Sequence, residues 1–493
     1  MNRDRQFIAE QMKAPLPEAM QAYAGDGALA FHTPGHKQGL GAHPLLRKLI
    51  TEEGLRQEVS LMEELDDLHE PTMCIREAQE LAAALYGSDA AYFMINGTTG
   101  AIHVMLMAAL SPGDTVLVPR NAHRSIVGGI ILAGARPVYM QPAVHERLGI
   151  AMGMPLSVVA AAIQEHPEAR AVFLVSPTYY GVASELADIA ALAHANDMLL
   201  LVDEAHGPHL RFSSRLPQQA MDAGADMAAQ STHKILGSLT QTSMLHVRYG
   251  RVDQDRVRAA AALLQSTSPN YLLLASLDIA RLQMAERGTE LVGRAVDLSV
   301  ELRQRINEIP GLWCFGEELM GTPGAAALDL TKLTVQVRGI GLSGLEAEQI
   351  LRHTYKIQCE LSDAYNLLFI ISFADTGREA ERLLAALRAL ADRQPVPGRV
   401  ADLMLPAIPP AAMEPRQAFF APARSVAFSV AENRICAETI TFYPPGIPVV
   451  CPGELLTAEL LGYIRDMQQR GLRVVGPEDV SLQTIKVIEG NRV

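Results

Sequence analysis

The 493-residue sequence has few cysteines, and their spacing does not suit a metal or disulfide framework. The five cysteines are odd in number, scattered and without a CxxC pair: Cys74, Cys314, Cys359, Cys436 and Cys451. Disulfides rarely persist in reducing compartments, and structural zinc sites need closely spaced pairs of ligands. The sequence therefore predicts a protein of a reducing compartment with no metal site.

Long apolar runs and basic charge are also scarce. The sequence has no run of 18 apolar residues, and its first residues, MNRDRQFIAEQ, lack the apolar core of a signal peptide. There are 42 Lys and Arg against 55 Asp and Glu, a formal net charge of −13, and no basic stripe that would favour nucleic acid. We therefore expect a cytoplasmic protein with neither a membrane nor a nucleic-acid partner. The acidity is compatible with a cationic substrate, although solubility alone would explain it.

Two nucleotide-binding signatures are missing, GxGxxG and the Gly-Lys-Ser/Thr ending of a P-loop. The sequence instead alternates short apolar runs, such as MLLLV at 198–202, with helical patterns. Such runs are typical of parallel strands buried on both faces, so we predict an α/β fold with a mostly parallel, doubly wound sheet. The predicted strands are Ala90–Ile95, Thr115–Val118, Pro137–Met140, Ala171–Val175 and Met198–Val202. The predicted domains are an N-terminal arm (1–60), a large domain (61–309) and a C-terminal domain (310–493) that contains a proline-rich, extended connector at 394–424.

The stretch AAQSTHKILGSLTQTSML at 228–245 places Lys234 among small and hydroxyl residues after a short apolar approach. Partial desolvation lowers the pKa of a lysine amine, and an amine of this kind can form a Schiff base with pyridoxal phosphate (PLP). Lys234 taken alone would be an ordinary surface lysine. Lys37 lies in a similar His-Lys pair, but no strand leads into it, so we reject it as a Schiff-base candidate.

Two turns after predicted strands carry polar residues suited to a phosphorylated ligand. Asn96-Gly97-Thr98-Thr99-Gly100 opens a helix after the first strand, and free N–H groups at a helix start favour an anion. A simple helix cap is the alternative for this turn. Asp203-Glu204-Ala205-His206-Gly207 follows the most apolar strand, where parallel sheets bind their ligands. Asp203 could equally cap the next element.

The motifs around Lys234 resemble those of a known family. Ser231-Thr232-His233-Lys234, followed by Gly-Ser and Thr-Gln-Thr-Ser, resembles the PLP-attachment motif of the ornithine/lysine/arginine decarboxylases of the aspartate-aminotransferase fold type. The Pro-Pro-Gly-Ile-Pro turn at 444–448 is a second match. The resemblance implies a fold-type-I enzyme with a smaller α+β C-terminal domain, similar to short members that lack an N-terminal receiver-like domain. It also implies a homodimer or a higher homo-oligomer.

The same resemblance implies roles for individual residues. Lys234 would hold PLP, Asp203 would pair with the pyridine nitrogen, and His123 would stack on the ring opposite Ala205. Thr178 would approach the ring hydroxyl, and His233 or Lys234 would donate the proton to Cα. The remaining candidates are Thr98, Thr99, Gly100, Ser231, His233 and His206 for the cofactor, and Glu360, Asp363 and Glu438 for a cationic substrate side chain.

The resulting hypothesis is the decarboxylation of a basic amino acid in polyamine metabolism. Arginine to agmatine is the first choice, with lysine to cadaverine or ornithine to putrescine next. One alternative is an aminotransferase of the same fold, which would use an arginine such as Arg378, Arg424 or Arg434 to hold the substrate carboxylate. The other alternative is a catalytically idle regulatory protein, which the joint retention of Lys234, Asp203 and His123 argues against.

Overall fold

The structure, a computed structural model, describes residues 2–393, 407–443 and 446–492. The helices are α1 (Asn2–Gln11), α2 (Pro15–Gly25), α3 (Pro44–Ile50), α4 (Glu52–Gln57), α5 (Cys74–Tyr86), α6 (Gly97–Ala109), α7 (Ser125–Ala133), α8 (Leu156–Glu165), α9 (Leu186–Ala195), α10 (Thr232–Ile235), α11 (Gln254–Leu264), α12 (Tyr271–Asn307), α13 (Gly344–Ile350), α14 (Gly377–Ala391), α15 (Pro415–Phe420) and α16 (Ala458–Gln469). The strands are β1 (Ala90–Met94), β2 (Thr115–Pro119), β3 (Arg136–Met140), β4 (Val144–His145), β5 (Ile150–Ala151), β6 (Ala171–Val175), β7 (Val182–Ala183), β8 (Leu199–Asp203), β9 (Met227–Gln230), β10 (Ser243–Val247), β11 (Trp313–Cys314), β12 (Ala327–Leu328), β13 (Lys332–Gln336), β14 (Leu361–Ser362), β15 (Asn366–Ile370), β16 (Ala423–Ala427), β17 (Arg434–Cys436), β18 (Ile440–Tyr443), β19 (Ile447–Val450), β20 (Arg473–Val475) and β21 (Thr484–Arg492).

The described residues form two compact units, which are built from alternating parts of the chain. The first unit consists of Met1–Ala109, Leu201–Ser213 and Gln218–Leu291. Its strands follow the order β1-β10-β9-β8. β10 pairs antiparallel with both of its neighbours, whereas β9 and β8 are parallel. Strands β8 and β9 are buried along their whole length, as continuous apolar runs such as LLLV predict.

The second unit consists of Leu110–Leu200, Ser214–Pro217 and Val292–Val493. It contains the parallel strands β6-β2-β3 and the helices between them. Its later part is mainly antiparallel. The four-stranded sheet β11-β13-β15-β14 packs with α13 and α14 around one apolar core, and two three-stranded sheets pack with α16 around another.

The predicted strands are present, and each of their ends lies within one residue of the prediction. Helix α7 begins at Ser125 with Arg124 as its N-cap residue, and the Ser125 N–H donates to His123 Nδ1 at 3.2 Å. Helix α12 is the longest of the described helices and begins at Tyr271. Helix α13 is followed by a π-helical turn at Leu351–Tyr355.

The proline-rich connector is only partly extended. Residues 394–406 of the predicted connector lie outside the described residues, as do Pro444 and Pro445 of the Pro-Pro-Gly-Ile-Pro turn. Within 407–424 the structure contains helix α15, so the prediction of a connector without helix is wrong there. Pro415 occupies the first helical turn, where proline is well tolerated because its missing N–H would have no partner.

Two kinds of feature, a membrane-spanning helix and a metal-binding cluster, are absent from the described residues. No helix in the described parts of the chain has both the length and the apolar character that a membrane span needs. No group of three or more His, Cys, Asp or Glu side chains in those parts is arranged to hold a metal ion.

Candidate active site

Lys234 lies in α10, one turn of helix after the carboxyl end of β9. Its Nζ is 3.0 Å from Nε2 of His206, which is buried. An ammonium group only donates hydrogen bonds, so a charged Lys234 requires a neutral His206 that accepts at Nε2 and carries its proton on Nδ1. The structure therefore brings together two residues that the sequence places 28 positions apart.

Asp203 is the last residue of β8, and its side chain is buried. Burial raises the pKa of its carboxyl, while the charge of Lys234 and the N–H of Ala205 act in the opposite direction. The Ala205 N–H donates to Oδ1 at 3.1 Å. The first unit thus holds a buried carboxylate in electrostatic contact with the amine of Lys234.

Three buried hydroxyl groups meet beside the first turn of α6. Thr98 Oγ1 is 2.5 Å from Ser231 Oγ and 2.8 Å from Ser243 Oγ, and the Ser243 hydroxyl donates to the Gln230 carbonyl at 2.6 Å. Because that carbonyl takes the only proton of Ser243, Thr98 donates to Ser243, and Ser231 donates to Thr98. Ser231 is the first donor of this chain and accepts from neither of the other two hydroxyls, so a bound anion would compete with Thr98 for its proton.

The first turn of α6 begins directly after β1. The Gly97 N–H donates to the Gln241 carbonyl at 2.8 Å, with Gly97 at a φ of +65° that favours glycine. Thr98 and Thr99 follow in the first turn, where the helix itself supplies no acceptor for N–H groups, whereas the Gly100 N–H donates to the Asn96 carbonyl at 3.1 Å. The anion site expected at this turn stays a prediction.

His233 is held in one tautomer. Its Nδ1 lies 2.6 Å from the Thr242 carbonyl, which can only accept, so Nδ1 carries the proton and Nε2 has the free lone pair. Burial lowers the pKa of His233 below its usual 6.5, although this hydrogen bond acts in the opposite direction. His233 is thus a neutral imidazole at neutral pH.

The donor set of the first unit fits PLP. Lys234 would provide an amine for its aldehyde, Asp203 a carboxylate for its pyridine nitrogen, and Ser231 with the α6 turn donors for its phosphate. Ala205, two residues after Asp203, is small enough to lie against a flat ring. Each of these side chains comes from the same compact unit.

His123 and Thr178 belong to the second unit. His123 lies between β2 and α7, where its Nδ1 is 2.9 Å from Ser125 Oγ. Thr178 is buried in the turn after β6, and its hydroxyl oxygen accepts the Val182 N–H at 3.2 Å. Both therefore follow carboxyl ends of parallel strands, and their proposed contacts with PLP stay predictions.

The three carboxylates predicted to hold the substrate side chain have other surroundings. Glu438 accepts the backbone N–H groups of Glu478 and Lys486, both at 2.7 Å, and Asp363 accepts the Tyr180 hydroxyl and several donors of its own turn. Glu360 is exposed. Asp363 and Glu438 are thus engaged in the fold itself, and the substrate role of all three carboxylates stays a prediction.

Sequence reasoning missed Glu204, Gln230 and His246, which form a buried polar chain in the first unit. The side-chain amide of Gln230 donates to Glu204 at 2.7 Å. Its side-chain oxygen is 3.2 Å from His246 Nε2. Glu204 follows Asp203 directly, which is the one signal that could have drawn attention to it. The aminotransferase candidates Arg378 and Arg424 are exposed.

The family comparison matches nearly the whole chain. The family described as "Orn/Lys/Arg decarboxylase, major domain" matches residues 14–379, and "Orn/Lys/Arg decarboxylase, C-terminal domain" matches residues 399–478. The chain belongs to the Orn/Lys/Arg decarboxylase family, and it is a PLP-dependent decarboxylase. The predicted family, cofactor and class of enzyme are confirmed.

Individual relatives show which members of the family this chain resembles in sequence and in fold. The chain is 44% identical to the arginine decarboxylase of Halalkalibacterium halodurans over 98% of this chain and 99% of that one. It is 43% identical to the arginine decarboxylase of Bacillus subtilis, over 97% and 98%. Among solved structures, the lysine decarboxylase of Francisella novicida has a TM-score of 0.85 at 22% identity and covers 97% of this chain and 82% of that one. This likeness confirms the predicted α/β fold with its mostly parallel sheet and smaller C-terminal domain.

Proposed function

We propose that this protein decarboxylates L-arginine to agmatine and carbon dioxide. The observation that carries the choice of arginine is the identity of 43–44% with four proteins named arginine decarboxylase, over 90–98% of this chain. Proteins named lysine decarboxylase are only 25–26% identical. Lysine and ornithine remain the competing substrates that an assay has to compare.

In this proposal the residues around Lys234 hold the cofactor and move the proton. Bound PLP supplies an electron sink for the electrons that remain on Cα when carbon dioxide leaves. Asp203 keeps the pyridine nitrogen protonated, because a nearby carboxylate favours the charged ring. Ser231 donates its hydroxyl proton to the phosphate, together with the N–H groups of the first turn of α6.

The proton for Cα comes from Lys234 rather than from His233. His233 is neutral with Nε2 unprotonated, and burial lowers its pKa, so at neutral pH it accepts protons and does not supply them. The Lys234 amine can carry a proton, which His206 orients by accepting at Nε2, 3.0 Å away. His123 would stack on the face of the ring opposite Ala205, and Thr178 would approach the ring hydroxyl, as the family resemblance implies.

The substrate test compares three amino acids in parallel. The PLP-loaded enzyme receives arginine, lysine or ornithine, and amine release is followed by chromatography together with carbon dioxide. We expect agmatine to form at least about tenfold faster than cadaverine or putrescine, because a pocket that pairs with the guanidinium leaves buried groups unpaired with the shorter cations. Faster cadaverine formation would overturn the choice of arginine. A parallel reaction with an added 2-oxo acid as amino-group acceptor tests the alternative, since keto-acid formation without carbon dioxide would indicate an aminotransferase.

The protein also associates with a second copy of itself in this proposal. Of the 20 large hydrophobic side chains that are exposed among the described residues, ten lie at or before Leu61. Phe31 is 91% exposed and Leu40 83%. Concentrated apolar exposure of this kind is typical of a protein interface. Sedimentation analysis should give at least a dimer that Phe31→Ser with Leu40→Ser weakens, and a monomeric wild-type protein at micromolar concentration would contradict this proposal.

A further inference from the structure

Glu204 is a buried carboxyl group that the proposed chemistry does not use. Its side chain is fully buried, and each carboxyl oxygen accepts one short hydrogen bond. The Ala220 N–H donates to Oε1 and the Gln230 side-chain amide donates to Oε2, both at 2.7 Å. Two short bonds to a buried carboxyl are strong restraints on the backbone that carries it.

The turn after β8 is shaped around the Glu204 side chain. The Gly207 N–H closes the turn by donating to the Glu204 carbonyl at 2.8 Å. A Cβ atom at Gly207 would lie 2.5 Å from Glu204 Cγ, so only glycine leaves room for the carboxyl group to pass beneath the turn. Asp203, Ala205 and His206 all lie on this turn, so its conformation determines where their side chains point.

The bond between Glu204 and Gln230 joins the turn to the lysine segment at the point where the backbone ladder stops. Strands β8 and β9 pair in parallel up to Asp203 and Ala229, and the last contact is the Glu204 N–H to the Ala229 carbonyl. Beyond it the two segments separate, one toward His206 and the other toward Lys234. The side-chain bond to Gln230 is therefore the next tie between them.

The far side of Gln230 is also fixed. The side-chain oxygen of Gln230 is 3.2 Å from His246 Nε2, and His246 Nδ1 is 3.3 Å from the Ser88 hydroxyl. Burial lowers the pKa of His246 to about 3, so the ring is neutral. With Gln230 donating to Glu204, its oxygen accepts from His246 Nε2–H, and Ser88 donates to Nδ1. Every proton in this chain then points toward Glu204.

From these contacts we propose that Glu204 is a positioning residue, which sets Asp203 and His206 in register with Lys234 through its bond to Gln230. The inference rests on the proposed function, because it takes Asp203 and Lys234 as the cofactor-binding pair. Glu204 contacts the loop and the neighbouring strand, and acts on the cofactor only through Asp203 and Gln230.

Exchanging the two partners separates this role from simple burial of a polar group. Gln230→Glu alone places two carboxyl groups against each other, and Glu204→Gln alone places two amides against each other unless Gln230 turns over. In the double variant Glu204→Gln/Gln230→Glu the amide at 204 accepts from Ala220 and donates to the carboxylate at 230, which also accepts from His246. The exchange therefore restores every hydrogen bond of the chain, and only the bond between positions 204 and 230 changes its direction.

The matched control is Gln11→Leu. It removes a buried hydrogen bond that the side-chain amide of Gln11 in α1 donates to the Leu81 carbonyl (3.0 Å), away from the loops of Asp203 and Lys234. Thermal unfolding is measured for each protein with and without PLP, PLP affinity by equilibrium dialysis, and kcat/KM for arginine. We expect Gln230→Glu to weaken PLP binding about tenfold and to lower kcat/KM by 10- to 100-fold, since small displacements at a reacting centre have effects of this size. The control should lower the unfolding temperature without changing the rise that PLP produces.

The double variant decides the outcome. Recovery of PLP affinity and kcat/KM to within about threefold of the wild type would support the positioning role. Normal PLP affinity in both single variants, or a double variant no better than the worse single variant, would overturn it. If Gln230→Glu does not accumulate, Glu204→Gln and the double variant give the same comparison. Lys234→Ala is assayed in parallel: retained turnover there would overturn the proposed function, whereas a dead Lys234→Ala beside normal Glu204 variants would overturn this inference alone.

Discussion

Two aspartates, one in each compact unit, differ in the donors that surround a buried carboxyl group. Burial raises the pKa of both Asp203 and Asp363. Asp363 accepts the Tyr180 hydroxyl at 2.7 Å, the N–H groups of Tyr365 and Asn366 at 2.8 Å, and the Asn366 side-chain amide. Within the described residues, Asp203 accepts the Ala205 N–H alone, at 3.1 Å. The carboxylate of Asp363 accepts hydrogen bonds mainly from its own turn, whereas the carboxylate of Asp203 can still accept from a ligand.

The largest expected effect lies on the Asp203 side of this comparison. Lys234→Ala should lower turnover of arginine by at least about 10³-fold, because it removes the amine that holds the cofactor and returns the proton. Amine release and the visible absorbance of the PLP-loaded protein check this outcome. Retained turnover by a folded Lys234→Ala protein would contradict the assignment of this lysine.

Asp203→Asn should come next in size. The asparagine keeps the shape but loses the charge, and loss of an opposite charge next to the ring nitrogen changes its pKa by about one to three units, so kcat should fall by about 10- to 1,000-fold. Because the surroundings of Asp203, with Lys234 included, raise its pKa and so disfavour its charged form in the fold, the free energy of unfolding of the apoprotein should stay equal or rise. A less stable protein with normal kcat per folded molecule would mean that Asp203 has the structural role found for Asp363.

Asp363→Asn should give the opposite pattern. The introduced amide group cannot accept all the donors that converge on Asp363, so the apoprotein should lose about 1–3 kcal/mol of unfolding free energy, with kcat unchanged. Denaturant unfolding and steady-state kinetics measure the two quantities. The matched control is Glu360→Gln, an exposed neighbour that should change neither. Normal stability combined with a KM for arginine raised more than about tenfold would restore the substrate role first predicted for Asp363.

The contrast between the two sides explains how much of the site could be predicted from the sequence. Asp203 and Lys234 follow apolar strands at the edge of the sheet where parallel strands end, and strand ends can be placed from apolar runs alone. Asp363 and Glu438 lie in turns, and the sequence does not show which backbone N–H groups will point at a turn carboxylate. Asp363 is therefore a residue whose role only the folded geometry reveals.

The sequence does not predict the buried polar chain of Glu204, Gln230 and His246, for a related reason. Gln230 lies in a strand whose other residues are apolar, and His246 lies in the middle of β10, so the local pattern predicts core positions for both. Glu204, which accepts from the Gln230 amide, lies 26 positions away from it in sequence. Pairing of distant buried polar groups depends on the register of neighbouring strands, which a single sequence does not determine.

Glu204 is an intermediate case between the two aspartates, because it accepts two donors, and its titration predicts how the stability of the protein depends on pH. Burial, as the main cause, raises the pKa of Glu204 from 4.5 to about 8. Between these values the folded protein binds a proton that the unfolded chain has lost, so this group's contribution to the free energy of unfolding falls as pH rises from 4.5 to 8. Glu204→Gln removes that contribution. The stability of the wild-type apoprotein relative to Glu204→Gln should therefore decline between pH 5 and pH 8, as measured by urea unfolding. Gln11→Leu should run parallel to the wild type, and a constant difference between wild type and Glu204→Gln across this range would show that Glu204 is ionised throughout, as its two hydrogen bonds alone would favour.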